Sequence, residues 1–326
     1  MLTLHFLNVG HGDCTFVELP SARLMMIDIN NSTSLPESDV LALAEHEGVS
    51  LARFMAKGAY FQARSWEDYY ESLLVDPHDY YVDHFSGRSV FRYIQTHPDM
   101  DHMGGLHRFF WQEEVTLENF WDVEHNKTKD EDDFANSPYA YVDWLVYRLL
   151  RDGTGPNNST HKVIHNLRGD NGHYWSDDSI EVLSPTTELI SACNTSENYN
   201  NCSYVLKLTY AGRTVILPGD AERPAWTSML EDLGEDAMKC DVFKAAHHGR
   251  ESGYDEDAVS AMSPDIVICS VGKKPSTDAS DEYASHGADV LSTRFHGTIT
   301  VSVDSNGKVT VKNRKGEEIA ALPRLY

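Results

Sequence analysis

Apolar residues alternate with polar ones, or form short unbroken runs, near both ends of the chain. Both patterns predict β-strands, because successive side chains of a strand point to opposite faces. The predicted strands cover residues 2–7, 14–19, 24–29, 90–94, 118–123, 161–167, 179–183, 204–210, 213–217, 241–245, 266–270, 297–303 and 308–312. A helical period predicts helices at residues 40–45, 66–74, 138–150, 222–233 and 281–292, and a helix that starts within 105–111.

The order of these elements predicts an α/β fold. Strands dominate both ends of the chain and helices follow the most polar loops, which favours two packed sheets flanked by helices. We find no repeat, linker or low-complexity segment, so we expect one domain over residues 1–326. The looser patterns at about 31–88 and 113–171 predict two insertions in that domain.

The composition disfavours a membrane protein and a protein stabilised by disulfides or thiolate-bound zinc. No run approaches the roughly 18 apolar residues that span a bilayer. The first residues also lack the basic region of a signal peptide, so we expect a cytoplasmic protein without a membrane association. The cysteines are scattered and form no C-x-x-C pair, which disfavours a disulfide framework and a thiolate zinc site: Cys14, Cys193, Cys202, Cys240 and Cys269.

The chain is strongly acidic, with a net charge of −24 from 27 basic and 51 acidic side chains. A bare surface of this charge disfavours tight, nonspecific binding of nucleic acid. It does not exclude a nucleic-acid substrate, because bound divalent metals invert the local potential.

The densest chemistry follows the predicted strand at 90–94. Four potential metal ligands lie within six positions, namely His97, Asp99, Asp101 and His102. Two imidazoles and two carboxylates held this close need a cation, or they repel one another and compete for protons. A pair of glycines follows directly and lets the backbone turn tightly. The segment therefore predicts half of a metal site.

Two further segments repeat the arrangement of an apolar strand that ends in potential ligands. Asp220 follows the strand at 213–217, and His247 and His248 follow the strand at 241–245. Either segment alone is weak evidence, since an aspartate after a strand is more often a turn or a helix cap. Ligands at strand ends can converge on one rim of a sheet, so the three segments together predict one site.

The chain resembles the metallo-β-lactamase-fold hydrolases, and more closely the branch found as the soluble domain of bacterial DNA-uptake competence proteins and as stand-alone hydrolases. The matching pieces span nearly the whole chain in the order of that family, at residues 7–13, 27–28, 96–105, 200–203, 217–220, 244–249 and 297–301. The resemblance implies an αββα sandwich of two mixed sheets flanked by helices. It also implies a dinuclear site, for which we expect Zn²⁺ or Mn²⁺.

The resemblance implies a role for each matched position. His97 would bind metal one, Asp101 and His102 would bind metal two, and Asp220 would bridge both. His248 would complete the ligands of metal two.

His247 would then lie beside the substrate, although the roles of His247 and His248 could be exchanged. The chain departs from the family at Asp99, where a histidine is usual, and near Asn200 or Asn201, where another histidine is expected. Metal one would then have one imidazole and several oxygen donors, which suits harder ions such as Mn²⁺. The departures also leave open that metal one is weak or absent.

These features favour a metal-dependent hydrolase, most of all a phosphodiesterase or nuclease. Two divalent ions lower the pKa of a bridging water and clamp a phosphoryl oxygen. Asp101 or Asp99 would orient the water, and His247 would stabilise the developing charge. Asp13 and Asp28 would hold the ligating imidazoles. The alternatives are hydrolysis of a small ester, lactone or amide, and a noncatalytic metal-binding partner subunit. The acidity favours a small substrate, or DNA delivered by a protein partner. The sequence does not indicate the oligomeric state.

Overall fold

The computed structural model describes residues 1–32, 72–271 and 277–325. The helix predicted at 40–45 and most of the one at 66–74 lie outside these residues. The strands in chain order are β1 (Leu2–Phe6), β2 (Thr15–Glu18), β3 (Leu24–Ile27), β4 (Ile29–Asn30), β5 (Arg92–Ile94), β6 (Met103–Gly104), β7 (Asn119–Trp121), β8 (Lys162–Ile164), β9 (Ile180–Ser184), β10 (Val205–Tyr210), β11 (Arg213–Leu217), β12 (Val242–Lys244), β13 (Ile266–Cys269), β14 (Asp289–Ser292), β15 (Ile299–Val303), β16 (Val309–Lys312) and β17 (Glu318–Leu322).

The α-helices within the described residues are α1 (Pro77–Phe85), α2 (Tyr141–Arg151), α3 (His173–Asp177), α4 (Thr187–Ser196), α5 (Arg223–Leu233), α6 (Glu235–Met238), α7 (Glu256–Met262), α8 (Ser280–Ser285) and α9 (Thr293–His296). Residues His107–Gln112 form a π-helix where the sequence predicted a helix start. None of the described helices combines the length and the apolar character that a membrane crossing requires.

Two mixed sheets form the centre of the molecule, as the sequence predicted. The larger has nine strands in the order β17-β16-β15-β1-β2-β3-β5-β7-β8, and the smaller has six in the order β14-β13-β12-β11-β10-β9. Strands β3, β5, β7 and β8 run parallel to one another in the first sheet, as do β11 to β14 in the second. In addition, β4 and β6 pair with each other.

Alternating side chains divide the core into layers. Along β5, Ile94 belongs to the apolar cluster between the two sheets, whereas Tyr93 belongs to the cluster that α1, α2 and the π-helix cover. On the second sheet, Phe243 packs outward under helix α5, which contributes Trp226 to the same cluster. Each sheet therefore buries one face against the other sheet and one against helices, which gives the αββα sandwich.

The prediction of a single helix at 281–292 is wrong in its second half. Helix α8 ends at Ser285, and Gly287 has a left-handed backbone with φ of +89°. The chain then enters β14, which pairs in parallel with β13. Asp28, with φ of +53°, likewise divides the strand predicted at 24–29 into β3 and β4. Several observed elements have no counterpart in the sequence predictions, namely β6, β17, α1, α3, α4, α6, α7 and α9.

Candidate metal centre

The predicted ligands follow strands whose ends lie along one rim of the sandwich. His97 follows β5, Asp220 follows β11, and His247 and His248 follow β12. Asp28 directly follows strand β3, which runs parallel to β5. Because parallel strands end at the same edge of a sheet, these short loops bring side chains distant in sequence into contact.

The carboxylate of Asp220 lies at the centre of the cluster. Its Oδ2 is 3.2 Å from Nε2 of His102, 3.5 Å from Nε2 of His248, 3.7 Å from Nε2 of His247 and 3.9 Å from Nε2 of His97. Four imidazoles therefore present the same ring nitrogen to one oxygen. A cation held by these nitrogens would therefore lie within reach of this carboxylate.

Hydrogen bonds on the opposite ring nitrogens fix the orientation of two imidazoles. Oδ2 of Asp28 lies 2.7 Å from Nδ1 of His102, so Nδ1 is the donor. The hydroxyl of Thr96 donates to Asp28 at 2.7 Å and therefore accepts from Nδ1 of His97 at 3.1 Å. In the neutral rings both Nε2 atoms then carry lone pairs, and both are buried without a hydrogen-bond partner. This is the state that a metal ligand requires.

His248 is oriented in the same way. Its Nδ1 donates to the backbone carbonyl of Ser270, 3.2 Å away, while its Nε2 lies 3.2 Å from Oδ2 of Asp101. His247 has a more exposed side chain and its Nδ1 lies 2.8 Å from the hydroxyl of Ser252. The structure thus buries His248 between carboxylates and leaves His247 at the opening.

The backbone that carries these two histidines is strained. Both have left-handed conformations, with φ of 47° for His247 and 58° for His248. Such conformations cost about 1–3 kcal/mol each in residues other than glycine. Gly249 follows with φ of +84°, and a Cβ there would lie 2.9 Å from Sγ of Cys269. This backbone conformation lowers the local stability of the segment, and it orients two adjacent imidazoles towards Asp220.

Asp99 faces the centre with one oxygen only. Its Oδ2 lies 3.8 Å from Nε2 of His97, while its Oδ1 forms an ion pair with Lys127. Sequence reasoning missed Lys127, because no local pattern connects it with Asp99. The usable signal is topological: residue 127 follows β7, which is parallel to β5.

Asp13 lies closer to the cluster than the sequence suggested. Asp13, His102, Asp220 and His248 each offer a ligand atom within 4.8 Å of the others, and all four are buried. Asp13 is also 2.6 Å from Nζ of the buried Lys244, another residue that the sequence analysis missed. Burial raises the pKa of Asp13, but Lys244 and His248 hold it well below its usual range.

In the protein without metal, the neighbouring carboxylates favour the protonated form of two of these imidazoles. Burial lowers the pKa of His248, but Asp220 and Asp13 raise it to about 10. The same balance raises the pKa of His102 well above its usual value, where the carboxylates are Asp220 and Asp28. Divalent cations would displace these protons and satisfy the unpartnered nitrogens, so the donor set fits a divalent metal.

The remaining predicted positions lie around the opening. Asn200 and Asn201 both donate to Glu222, at 3.1 and 3.3 Å, and Glu222 is 3.4 Å from Nδ1 of His247. The two asparagines therefore position a carboxylate and do not reach Asp220. His11 lies at the rim, with its Nε2 3.8 Å from Oδ2 of Asp101.

No family model and no curated protein matches the chain. The solved structures that align with 90% or more of it include the following three. Igni18, a metallo hydrolase from the archaeon Ignicoccus hospitalis, is 14% identical with a TM-score of 0.49, over 93% of this chain and all of Igni18. CmlA, a diiron β-hydroxylase from Streptomyces venezuelae, is 13% identical with a TM-score of 0.44, over 92% of this chain and 53% of CmlA. YhfI from Bacillus subtilis, a metallo-β-lactamase-fold protein, is 8% identical with a TM-score of 0.40, over 90% of this chain and 96% of YhfI.

These likenesses are distant, and the functional argument rests on the geometry of the chain itself. The predicted fold class is confirmed by the order of the two sheets and the helices that cover them. The finer resemblance to competence proteins stays a prediction, as do the metal roles of the individual residues and the single domain with two insertions.

Proposed function

We propose that the protein is a metal-dependent hydrolase that cleaves phosphodiester bonds, with nucleic acid or a nucleotide as its substrate class. The observation that carries the proposal is Asp220, whose Oδ2 lies within 3.9 Å of Nε2 of four imidazoles. A purely structural cluster would pair these nitrogens with hydrogen-bond partners. Here Nε2 of His97 is buried without one, 3.9 Å from Asp220.

Two divalent ions, Zn²⁺ or Mn²⁺, would share Asp220. One group of ligands is Asp101, His102 and His248, and the other is His97 and Asp99. The second group is richer in oxygen, which favours hard ions and phosphoryl ligands over an all-imidazole zinc site. Ions bound there would supply an activated water at neutral pH and would neutralise charge on the phosphate.

The chain itself contributes orientation. Asp28 and Thr96 fix the rings of His102 and His97, so that their Nε2 lone pairs point inward before any ion binds. Asp101 lies at the edge of the cluster with 20% of its side chain exposed, where it can orient a water. His247 is 16% exposed and is placed to donate to a phosphoryl oxygen.

The acidic surface bears on the substrate. With a net charge of −24, long duplex DNA would be repelled except where bound cations or a basic surface reverse the potential. The proposal therefore favours a small phosphodiester, or nucleic acid delivered by a protein partner.

The test combines metal content with hydrolysis. Purified wild type is compared with Asp220→Ala for bound zinc and manganese, and for cleavage of bis(p-nitrophenyl) phosphate and single-stranded DNA. We expect the wild type to bind metal and cleave at least one substrate, and the variant to lose about 10³-fold or more in kcat/KM. Asp241→Asn is the matched control, because Asp241 accepts hydrogen bonds from Thr214 and lies outside the cluster.

If wild type binds no metal, or if Asp220→Ala is as active as wild type, the proposal of a metal-dependent hydrolase is contradicted. Metal-dependent cleavage of an ester, lactone or amide without any phosphodiester cleavage retains the hydrolase and contradicts the substrate class.

A further inference from the structure

A second concave site lies beside the proposed metal centre. The cavity has a volume of about 290 Å³ and its walls include His125, Lys127, Lys129, Arg148 and Arg151. This volume is near the lower end of the range typical for ligand pockets, about 300–1,000 Å³. It suits a small polar group.

The charge of this cavity is opposite to that of the whole protein. Two of its four cationic side chains are neutralised, since Lys127 pairs with Asp99 and Arg151 pairs with Asp122. Among the residues that the structure describes, neither Lys129 nor Arg148 has an ion-pair partner, although Nζ of Lys129 lies 5.7 Å from the ring centre of Phe134. The only acidic residue of the wall is Asp152. In a chain with a net charge of −24, a cavity with uncompensated cations indicates an anionic ligand.

The wall is held in place before any ligand binds. Nε2 of His125 lies 2.6 Å from the hydroxyl of Tyr147, and Nδ1 of His125 accepts from the backbone of Lys127 at 3.0 Å. Arg151 donates to the carbonyls of Val123 and His125 at 3.1 and 3.0 Å. This order lowers the conformational cost of binding.

The cations without ion-pair partners also bear on the kind of anion. An ammonium and a guanidinium group together supply several hydrogen-bond donors. Lys129 and Arg148 therefore favour a phosphate over a carboxylate, because a phosphate presents more acceptor oxygens.

The topology joins the cavity to the metal centre. Strands β5 and β7 are parallel neighbours, so the residues after β7 lie beside the loop that carries His97. Lys127 makes the contact directly, since its ammonium lies against Asp99 and 4.9 Å from the ring centre of Tyr199. A substrate with one phosphate at the metal centre can therefore extend a second phosphate into the cavity.

We infer that this cavity is a subsite for a second, non-reacting phosphate of the substrate, an inference that rests on the proposed function. The enzyme then prefers a phosphodiester that carries an additional phosphate over one that lacks it. Lys129 and Arg148 bind that phosphate.

The kinetic test uses two substrates that differ only in this group: the p-nitrophenyl ester of thymidine 5′-phosphate, with and without a 3′-phosphate. The variant Lys129→Gln/Arg148→Gln is compared with Lys312→Gln/Lys315→Gln, which removes the same charge from exposed positions near the other end of the nine-stranded sheet. We expect the first variant to raise KM at least about tenfold for the 3′-phosphorylated ester only. The control should match wild type with both esters.

Binding of inorganic phosphate to protein depleted of metal by a chelating resin gives a readout that needs no activity. Calorimetry should show one saturable site in wild type and at least about tenfold weaker binding in Lys129→Gln/Arg148→Gln. If the variant loses phosphate binding but wild type hydrolyses neither ester, the proposed function is refuted and the cavity remains an anion site. Hydrolysis that both variants leave unchanged for both esters refutes the subsite and retains the function. Absence of saturable phosphate binding in wild type also refutes the subsite.

Discussion

Asp28→Asn separates the orientation of the metal ligands from the stability of the fold. Asp28 is 1% exposed and accepts from the backbone and hydroxyl of Thr96 at 2.8 and 2.7 Å, and from Nδ1 of His102 at 2.7 Å. Asparagine keeps the size of the side chain and tolerates the left-handed backbone at φ of +53°. However, it replaces one acceptor oxygen by an NH₂ group that cannot accept.

The expected loss follows from those contacts. Nδ1 of His102 and the hydroxyl of Thr96 both donate to Oδ2, and the backbone N–H of Thr96 donates to Oδ1, so an NH₂ group at either place leaves at least one buried donor without its acceptor. The cost is about 1–3 kcal/mol in the free energy of unfolding. If Nδ1 becomes the acceptor, the proton moves to Nε2 and removes the lone pair that faces Asp220. Loss of such a supporting partner weakens metal affinity about 10–100-fold, which corresponds to roughly 1.4–2.7 kcal/mol.

The assay is competition for Zn²⁺ or Mn²⁺ against a fluorescent chelator, together with urea unfolding of the metal-free protein. Asp241→Asn is a close control, because Asp241 accepts from the backbone and hydroxyl of Thr214 at 2.7 and 3.2 Å. It should lose stability without losing metal affinity. Equal affinity in Asp28→Asn and wild type, or an equal loss in both variants, would refute the role given to Asp28.

Three further expectations follow from single contacts. Lys127→Gln should tighten binding of the weaker ion about fivefold in calorimetry, because it frees Asp99; unchanged or weaker binding contradicts this. Burial lowers the pKa of His248 but its carboxylate neighbours raise it to about 10, so urea titrations should show the metal-free protein losing stability from about pH 6.5 to 10; a rise over that range contradicts the ion pairs. Gly12→Ala should cost more than about 3 kcal/mol of unfolding free energy, since its Cβ would lie 2.3 Å from a backbone oxygen. Gly87→Ala should cost only about 1–2 kcal/mol, because there is open space around Gly87. Equal losses in the two variants would contradict the close packing around Gly12.

The parts of the site that could be predicted are those encoded locally. His97, Asp220 and His248 each follow a strand with a clear apolar pattern, and the period of two places the strand ends reliably. The strand after residue 287 was missed because β14 is short, begins at Asp289 and is half-exposed. Its length and polarity resemble the end of a helix as closely as a strand.

Contacts between residues distant in sequence could not be predicted from local patterns. Lys127 reaches Asp99 only because β7 lies beside β5, and Lys244 reaches Asp13 across the interface of the two sheets. A lysine at the end of an apolar strand suggests solvent exposure, yet Lys244 is 4% exposed because Asp13 balances its charge. Such pairings depend on sheet order, which local patterns do not encode.

The occupancy of the Asp220 cluster tests the central claim most directly. Crystals of the protein grown with Zn²⁺ or Mn²⁺ are measured at the absorption edge of each metal, and the anomalous peaks are located and counted. We expect two peaks that flank the carboxylate of Asp220, one beside His102 and His248 and one beside His97. A single peak would contradict the two-metal site, and no peak within coordination distance of Asp220 would contradict the metal centre itself.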